Sequence, residues 1–295
     1  MSTASETYPP VIGIDPAPSS DSWICDPQIV LQRDRNDQPQ QPIYSLRPDE
    51  LYKKISALKA GGQKVLVCWD APLTAKREPF ANTFYDRDLS SRDIEIYFGK
   101  SKAAGRRGTS PPKGISVNSY GGASHWTISQ YCLGLPQVGG AMGNSDSKWP
   151  LLTSDDDRRT FDGAAVVEVH PAVAAWWWVK GIRDSNTCSF VYKGSRNTED
   201  RELKDYSPDL FWNDLVKVLG YNLPQDLTFL GAEIGNSSDK FDAAVSYLLG
   251  YLWLRKQGSI SILGDRTAGA WLMPGSSEDF AAWKDYRTTC YPPKE

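Results

Sequence analysis

The stretch that decides the fold is Lys64–Asp70, which reads KVLVCWD. It is apolar throughout, carries an acid at its tip, and is followed by Pro72. A run this apolar is typical of a strand in a sheet that is covered on both faces. The sequence therefore predicts a buried strand that ends in Asp70.

Two other stretches repeat this pattern. Val11–Asp15 (VIGID) is a short apolar run that ends in an acid before Pro16, and Ala164–Val169 is a strand that contains Glu168. Helices are predicted between the strands: one opens at Arg47–Glu50 and stops at Gly61, and another begins at Ser207 and runs to Gly220. Apolar strands that alternate with helices predict an α/β sheet.

Further segments complete the predicted architecture. Trp23 and Ile29–Leu31 indicate a second strand beside the first, and Gly258–Asp265 indicates a late one. Asp239 is predicted to cap a helix that runs to about Gln257. Residues 75–162 are loose in pattern, and we expect a long insertion with one helix near Ser124–Leu133. The 295 residues are expected to form a single domain.

Composition excludes several classes of protein. The five cysteines are far apart and form no CxxC pair, so neither a zinc ribbon nor a disulfide framework is indicated. The N-terminus lacks the apolar core of a signal peptide, and the longest apolar stretch, Ala243–Leu254, is too short to span a bilayer. Serine hydrolase and P-loop motifs are absent or incomplete. A soluble, cytoplasmic protein is expected.

The candidate site consists of carboxylates at strand ends. Asp15, Asp70 and Glu168 come at or near the ends of apolar strands, where such strands share one edge of the sheet. A fourth acid, Asp242, falls in the first turn of an apolar helix, three residues after Asp239. Acids repeated at one edge repel each other unless a cation neutralises them. Carboxylate oxygens without sulfur or imidazole select Mg²⁺ or Mn²⁺.

Each acid also has a simpler interpretation. Asp15 and Asp70 could begin turns, Glu168 could pair with an arginine, and Asp239 could be only a helix cap. Asp242 could be favoured by the helix dipole alone. His170 could act as a general base, although a structural role is favoured. The metal-site hypothesis depends on the joint occurrence of the acids.

Four motifs in order resemble a known family. VIGID, VLVCWDAPL, VVEVHPAV and DKFDAAVSYLLGYLW are similar to the "domain of unknown function 429" family, whose members are predicted nucleases of ribonuclease-H-like fold. The tail GDRTAGAWLMP is similar to the family's ending, and the Asp-x-x-Asp-Ala spacing is similar to the closing helix of Holliday-junction resolvases. Residues 75–162 have no counterpart in this resemblance. Pro16, directly after the first acid, departs from the small residue expected there.

The resemblance implies a ribonuclease-H-like mixed sheet flanked by helices. It implies that Asp15, Asp70, Glu168 and Asp242 are catalytic metal ligands, with Asp239 as a possible fifth. The expected activity is divalent-metal-dependent hydrolysis of phosphodiester bonds in DNA or RNA.

A basic segment without acidic residues is expected to contact nucleic acid. Its basic residues are Lys100, Lys102, Arg106, Arg107 and Lys113. The formal net charge of −3 gives no global positive field, so any attraction would be local. Two alternatives remain open. One is a catalytically silent ribonuclease-H-like module that binds nucleic acid or a protein. The other is an actin-like phosphotransferase, for which Pro16–Pro18 is a poor phosphate turn.

Overall fold

A computed structural model describes most of the predicted elements. The residues it describes are 8–28, 41–74, 92–99, 123–134, 149–179, 182, 207–220, 223, 227–266, 269–275 and 281–285. Ile29–Leu31 lie outside these residues, so that part of the predicted second strand is not described.

The core of the fold is a six-stranded mixed sheet. Its strands are β1 (Val11–Asp15), β2 (Ser22–Cys25), β3 (Ile43–Leu46), β4 (Val65–Trp69), β5 (Leu151–Leu152) and β6 (Ala164–Glu168). Their order is β3-β2-β1-β4-β6-β5. Strand β2 runs antiparallel to both of its neighbours, whereas β1, β4, β6 and β5 are parallel. The predicted α/β class is confirmed at this level.

Helices connect and cover these strands. They are α1 (Pro48–Ala60), α2 (Asp93–Gly99), α3 (Ala123–Leu133), α4 (Asp157–Thr160), α5 (Pro171–Val179), α6 (Pro208–Leu219), α7 (Leu230–Ile234) and α8 (Ser238–Leu254). A hairpin of β7 (Ile260–Asp265) and β8 (Gly269–Pro274) follows, and a bridge between Val169 and Leu272 links it to the end of β6. The predictions of α1, α3 and α6 are confirmed.

The two faces of the sheet carry different helices. Leu51 and Ile55 of α1 and Ile128 of α3 pack on one face with Val67 and Trp69, which we call the α1 face. Helices α5, α6 and α8 pack on the opposite face, the α8 face, where the strands present Val11, Leu66, Cys68 and Val167. Strands β1, β4 and β6 are buried on both faces, as their continuous apolar sequences predict.

Helix α8 lies directly on the two central strands. A Cβ atom added to Gly13 would collide with the backbone of Ala243 and Tyr247, and one added to Gly250 would lie 2.8 Å from Cγ1 of Val11. The start of α8 is therefore near the end of β1, and its last turns are near the beginning of β1. Helix and strand run in opposite directions, which brings the first turn of α8 to the carboxyl edge of the sheet.

Candidate carboxylate site at the strand ends

Asp15 and Asp70 end neighbouring parallel strands. Asp15 is the last residue of β1, and Asp70 directly follows β4. The backbone N–H of Asp70 donates to the carbonyl of Ile14 at 2.9 Å, so the parallel pairing continues to the level of these two acids. Side chains alternate between faces along a strand. Asp15 therefore shares the α8 face with Gly13, and Asp70 shares it with Cys68. Asp15 is half-buried, whereas Asp70 is buried.

The first turn of α8 lies beside this pair. The ammonium of Lys240 is 5.1 Å from the ring of Trp23, which is the β2 partner of Asp15. Asp242 is fully buried in the same turn, one residue before the helix backbone that contacts Gly13. The first turn of α8 therefore lies close to the end of β1.

The cap of α8 differs from the sequence prediction. The N-cap is Ser237, whose hydroxyl accepts a hydrogen bond from the Lys240 N–H at 3.3 Å. Asp239 is not the cap: it is an exposed first-turn residue that accepts a hydrogen bond from the Ser238 hydroxyl at 3.1 Å. Three consecutive residues with good capping side chains, Ser237 to Asp239, explain the error. A first-turn acid still stabilises the helix through its dipole.

Glu168 occupies a different register position from Asp15 and Asp70. It is in register with Trp69 and Ile14, one position before the level of Asp70 and Asp15, and so belongs to the opposite face of the pleat. Its neighbours Val167 and Val169 pack on the α8 face. Its carboxylate nevertheless reaches the indole of Trp271, which packs in the cluster of the α8 face, and the turn that follows Asp70.

Both oxygens of Glu168 are engaged by protein donors. Oε1 accepts from Nη2 of Arg92 at 2.5 Å and from the indole N–H of Trp271 at 2.7 Å. Oε2 accepts from Nη1 of Arg92 at 2.9 Å and from the backbone N–H of Leu73 at 2.8 Å. The sequence left an arginine pair open as an explanation of this acid, and the structure supplies it in Arg92.

Arg92 joins Glu168 to a second buried carboxylate, Glu95. Its Nε donates to Glu95 Oε1 at 2.9 Å, and all three side chains are at most 4% exposed. Burial disfavours the charged guanidinium, but the two carboxylates outweigh this effect and hold the pKa of Arg92 above its ordinary value. Burial also raises the pKa of Glu95, although Arg92 opposes that shift. Arg92 is therefore a permanent buried cation.

This ion cluster holds the turn that follows Asp70. Besides accepting from Leu73, Glu168 accepts from the hydroxyl of Thr74 at 3.4 Å, and Arg92 donates to the Thr74 carbonyl at 3.0 Å. The Thr74 hydroxyl also accepts from the Ala270 N–H at 3.2 Å, which ties the turn to β8. Glu168 and Arg92 thus fix the chain next to Asp70.

His170 is built into the same corner. It is buried, and its ring lies edge-on to Trp271 with 4.8 Å between centroids. The ring of His170 thus packs against the residue that donates to Glu168, and its predicted structural role stays a prediction.

Sequence reasoning did not find Arg92, Glu95 or Trp271. Arg92 and Glu95 have the i,i+3 spacing of a helical ion pair, which is the one local signal for their contact. The contact of both Arg92 and Trp271 with Glu168 spans at least 76 residues and depends on the fold.

The described part of the chain was searched for groups of side chains that could bind a metal ion. Within it, no three His, Cys, Asp or Glu side chains come together as a group that could hold a metal ion.

None of the described helices is long and apolar enough to cross a membrane. The basic residues Lys100, Lys102, Arg106, Arg107 and Lys113 lie outside the described residues.

The structure defines a mixed α/β protein that carries Asp15 and Asp70 at the carboxyl ends of its central strands β1 and β4. Comparison with known proteins found no matching family model, no similar curated protein and no similar solved structure.

Proposed function

We propose that this chain has a ribonuclease-H-like fold and belongs with the "domain of unknown function 429" proteins that its motifs resemble. Two observations support this. The sheet is mixed, with helices on both faces, and its first strand ends in an acid. The helix with the Asp-x-x-Asp-Ala motif lies on that strand and begins at its carboxyl end.

The proposed activity is divalent-metal-dependent hydrolysis of phosphodiester bonds in nucleic acid. The observation that carries it is that Asp15 and Asp70 end neighbouring parallel strands, and that α8, whose first turn holds Asp242, packs on the same face of the sheet. Carboxylates gathered at one edge attract a divalent cation, and the bound cation would in turn attract the phosphate groups of a nucleic acid.

The donor set fits Mg²⁺ or Mn²⁺ because it consists of hard carboxylate oxygens. Mg²⁺ usually takes only one or two protein carboxylates and completes its shell with water and substrate phosphate. A site of this kind does not require three protein ligands that are already gathered. Asp15 and Asp70 would hold the ion, and Asp242 would orient the site from α8. The bound ion would activate water and stabilise the charge that develops on the phosphate.

Glu168 is left out of the proposed ligand set. To bind metal it would have to give up Arg92, Trp271 and Leu73. Its proposed role is to position Asp70, through the turn that it holds. Asp239 is left at the exposed rim of α8.

The test is cleavage of labelled single- and double-stranded DNA and RNA with Mg²⁺, with Mn²⁺ and with EDTA. We expect cleavage that requires the metal and is abolished by Asp70→Asn or Asp15→Asn. The matched control is Asp49→Asn, which changes an exposed acid in the first turn of α1 and should retain full activity. Cleavage that persists in both site variants would refute the assignment of this edge.

A catalytically silent module that binds nucleic acid is the second candidate. It is favoured by the pairing of Glu168 with Arg92, because a cation already neutralises one of the four acids. This candidate predicts retention of labelled nucleic acid with no cleavage under any metal condition, and binding that Asp70→Asn leaves unchanged.

A further inference from the structure

A cleft at the other end of the sheet has no role in the proposed activity. It has a volume of about 410 Å³, within the range of small-molecule sites. It is lined by the beginning of β1, the beginning of β4 and one face of α1. The carboxylate site lies where β1 and β4 end, so the two sites are at opposite edges of the sheet.

One stripe of α1 forms a wall of the cleft. Lys54, Ala57, Leu58 and Gly61 follow one another at helical spacing and all line the cleft. Ala57 and Gly61 are small and exposed, whereas Leu51 and Ile55 earlier in the same helix are fully buried in the core. The floor is apolar, since Ile12 and Val65 of the sheet lie beneath.

The polar wall of the cleft has one charge of each sign. Asp26 Oδ2 and Lys54 Nζ are 3.8 Å apart, which is too long for a hydrogen bond, and their side chains are 13% and 30% exposed. Burial raises the pKa of Asp26 by more than Lys54 and the Gln28 backbone N–H lower it. The carboxylate is therefore only partly compensated, and a second cation near it would be stabilised.

This charge pattern selects the kind of ligand. A phosphate or other anion would be repelled by Asp26, and a divalent metal would face Lys54 with only one carboxylate. A neutral apolar molecule would bury the loose ion pair without new partners, which is costly. A zwitterion with an apolar side chain avoids all three problems.

We propose that this cleft binds a free α-amino acid with an apolar side chain. The ligand ammonium pairs with Asp26, the ligand carboxylate pairs with Lys54, and its side chain lies on Ile12, Leu58 and Val65. The cleft is separate from the carboxylate site. The proposal that it binds an amino acid can therefore be tested whether or not the protein is a nuclease.

The test is calorimetric titration of the full chain with L-leucine and L-phenylalanine, beside analogues that each lack one feature. N-acetyl-L-leucine lacks the ammonium, L-leucinamide lacks the carboxylate, and glycine lacks the side chain. Each analogue should bind at least about tenfold more weakly than L-leucine, because each loses one charge-assisted contact or the apolar contact.

Variants assign the two charges. Lys54→Met should weaken L-leucine at least about tenfold but leave L-leucinamide unchanged, and Asp26→Asn should weaken both. Lys53→Met is the matched control, since Lys53 is exposed on the same helix and pairs with Asp49 away from the cleft. The proposal is overturned if L-leucine and L-phenylalanine do not bind at millimolar concentration, or if N-acetyl-L-leucine binds as tightly as L-leucine. Unchanged affinity for L-leucine in Lys54→Met would also overturn it.

Discussion

Arg92 is one buried cation shared by two buried carboxylates, Glu95 and Glu168. Such a cluster adds little to stability relative to an apolar core, but loss of one member leaves the others buried without compensation. We expect Arg92→Met to lower the free energy of unfolding by about 3–5 kcal/mol, measured by urea denaturation. Arg47→Met removes an exposed arginine that also pairs with a glutamate at i,i+3, and should change stability little. Equal effects of the two variants would show that burial of the cluster is unimportant.

The cost of Arg92→Met should depend on pH. Burial already raises the pKa of Glu95, and Arg92 is the largest influence that opposes this. Without Arg92 the pKa of Glu95 rises further above its unfolded value. A carboxyl whose pKa is raised by folding lowers stability as pH increases through that pKa. The difference between wild type and variant should therefore be largest at about pH 7 and shrink towards about pH 5. A difference that stays constant with pH would mean that lost packing, not uncompensated charge, is the cause.

Asp70 is the residue on which the proposed metal site depends most. A ligand that binds only the folded state stabilises it, by about 2.7 kcal/mol at a hundred times its dissociation constant. Mg²⁺ or Mn²⁺ should therefore raise the Tm by several degrees in a thermal-shift measurement. Asp15→Asn or Asp70→Asn should remove most of that rise, and Asp49→Asn should leave it intact. A rise that is the same in all three variants would place the metal elsewhere.

At the scale of elements, the contact of α8 with β1 positions the candidate site. Gly13 permits this contact, because any Cβ atom there would meet helix backbone that has no flexible side chain to move. We expect Gly13→Ala to destabilise the fold by about 1–3 kcal/mol or more, as overpacking does. It should also weaken metal binding, since displacement of α8 moves Asp242.

The matched substitution is Gly61→Ala at the end of α1. Gly61 has right-handed helical geometry, and an added Cβ would be 3.4 Å from the nearest atom. Its effect on urea denaturation should be within about 1 kcal/mol and can be stabilising. If Gly13→Ala changed the free energy of unfolding as little as Gly61→Ala, the close approach of α8 to β1 would be refuted.

The elements differ in how well their sequences predict them. β1, β4 and β6 were predicted because each is a short apolar run, and α1 and α6 because proline and an acid mark their first turns. Helix α2 was not predicted, since Asp93–Gly99 is only 7 residues long and shows no long apolar period. Strand β5 has only two residues, and its pairing with β6 is a tertiary contact.

At the scale of the molecule, the candidate site was predicted only in part. The position of Asp15, Asp70 and Asp242 at one edge follows from strand ends and a helix start, which are local features. Arg92 and Trp271 bind Glu168 from segments at least 76 residues away in the chain, so no single stretch of sequence contains the information that these residues meet.

The distribution of charge over the whole chain motivates the last prediction. The net charge is −3, so binding of nucleic acid requires a local basic segment, and Gly99–Lys113 is the acid-free candidate. Each phosphate contact that is lost should reduce the slope of log affinity against log salt by about 0.7–0.9. The double variant Arg106→Gln with Arg107→Gln should therefore weaken nucleic-acid binding without a change in Tm. The slope of log affinity against log salt should fall by the amount expected for the loss of up to about two phosphate contacts. The charge-matched control is Lys53→Gln with Lys59→Gln, which removes two exposed positive charges from α1 and should leave the slope unchanged. If both double variants flatten the slope equally, the attraction is a general effect of net charge. If neither does, the basic segment has no part in binding, and the positive contacts must come from elsewhere on the chain.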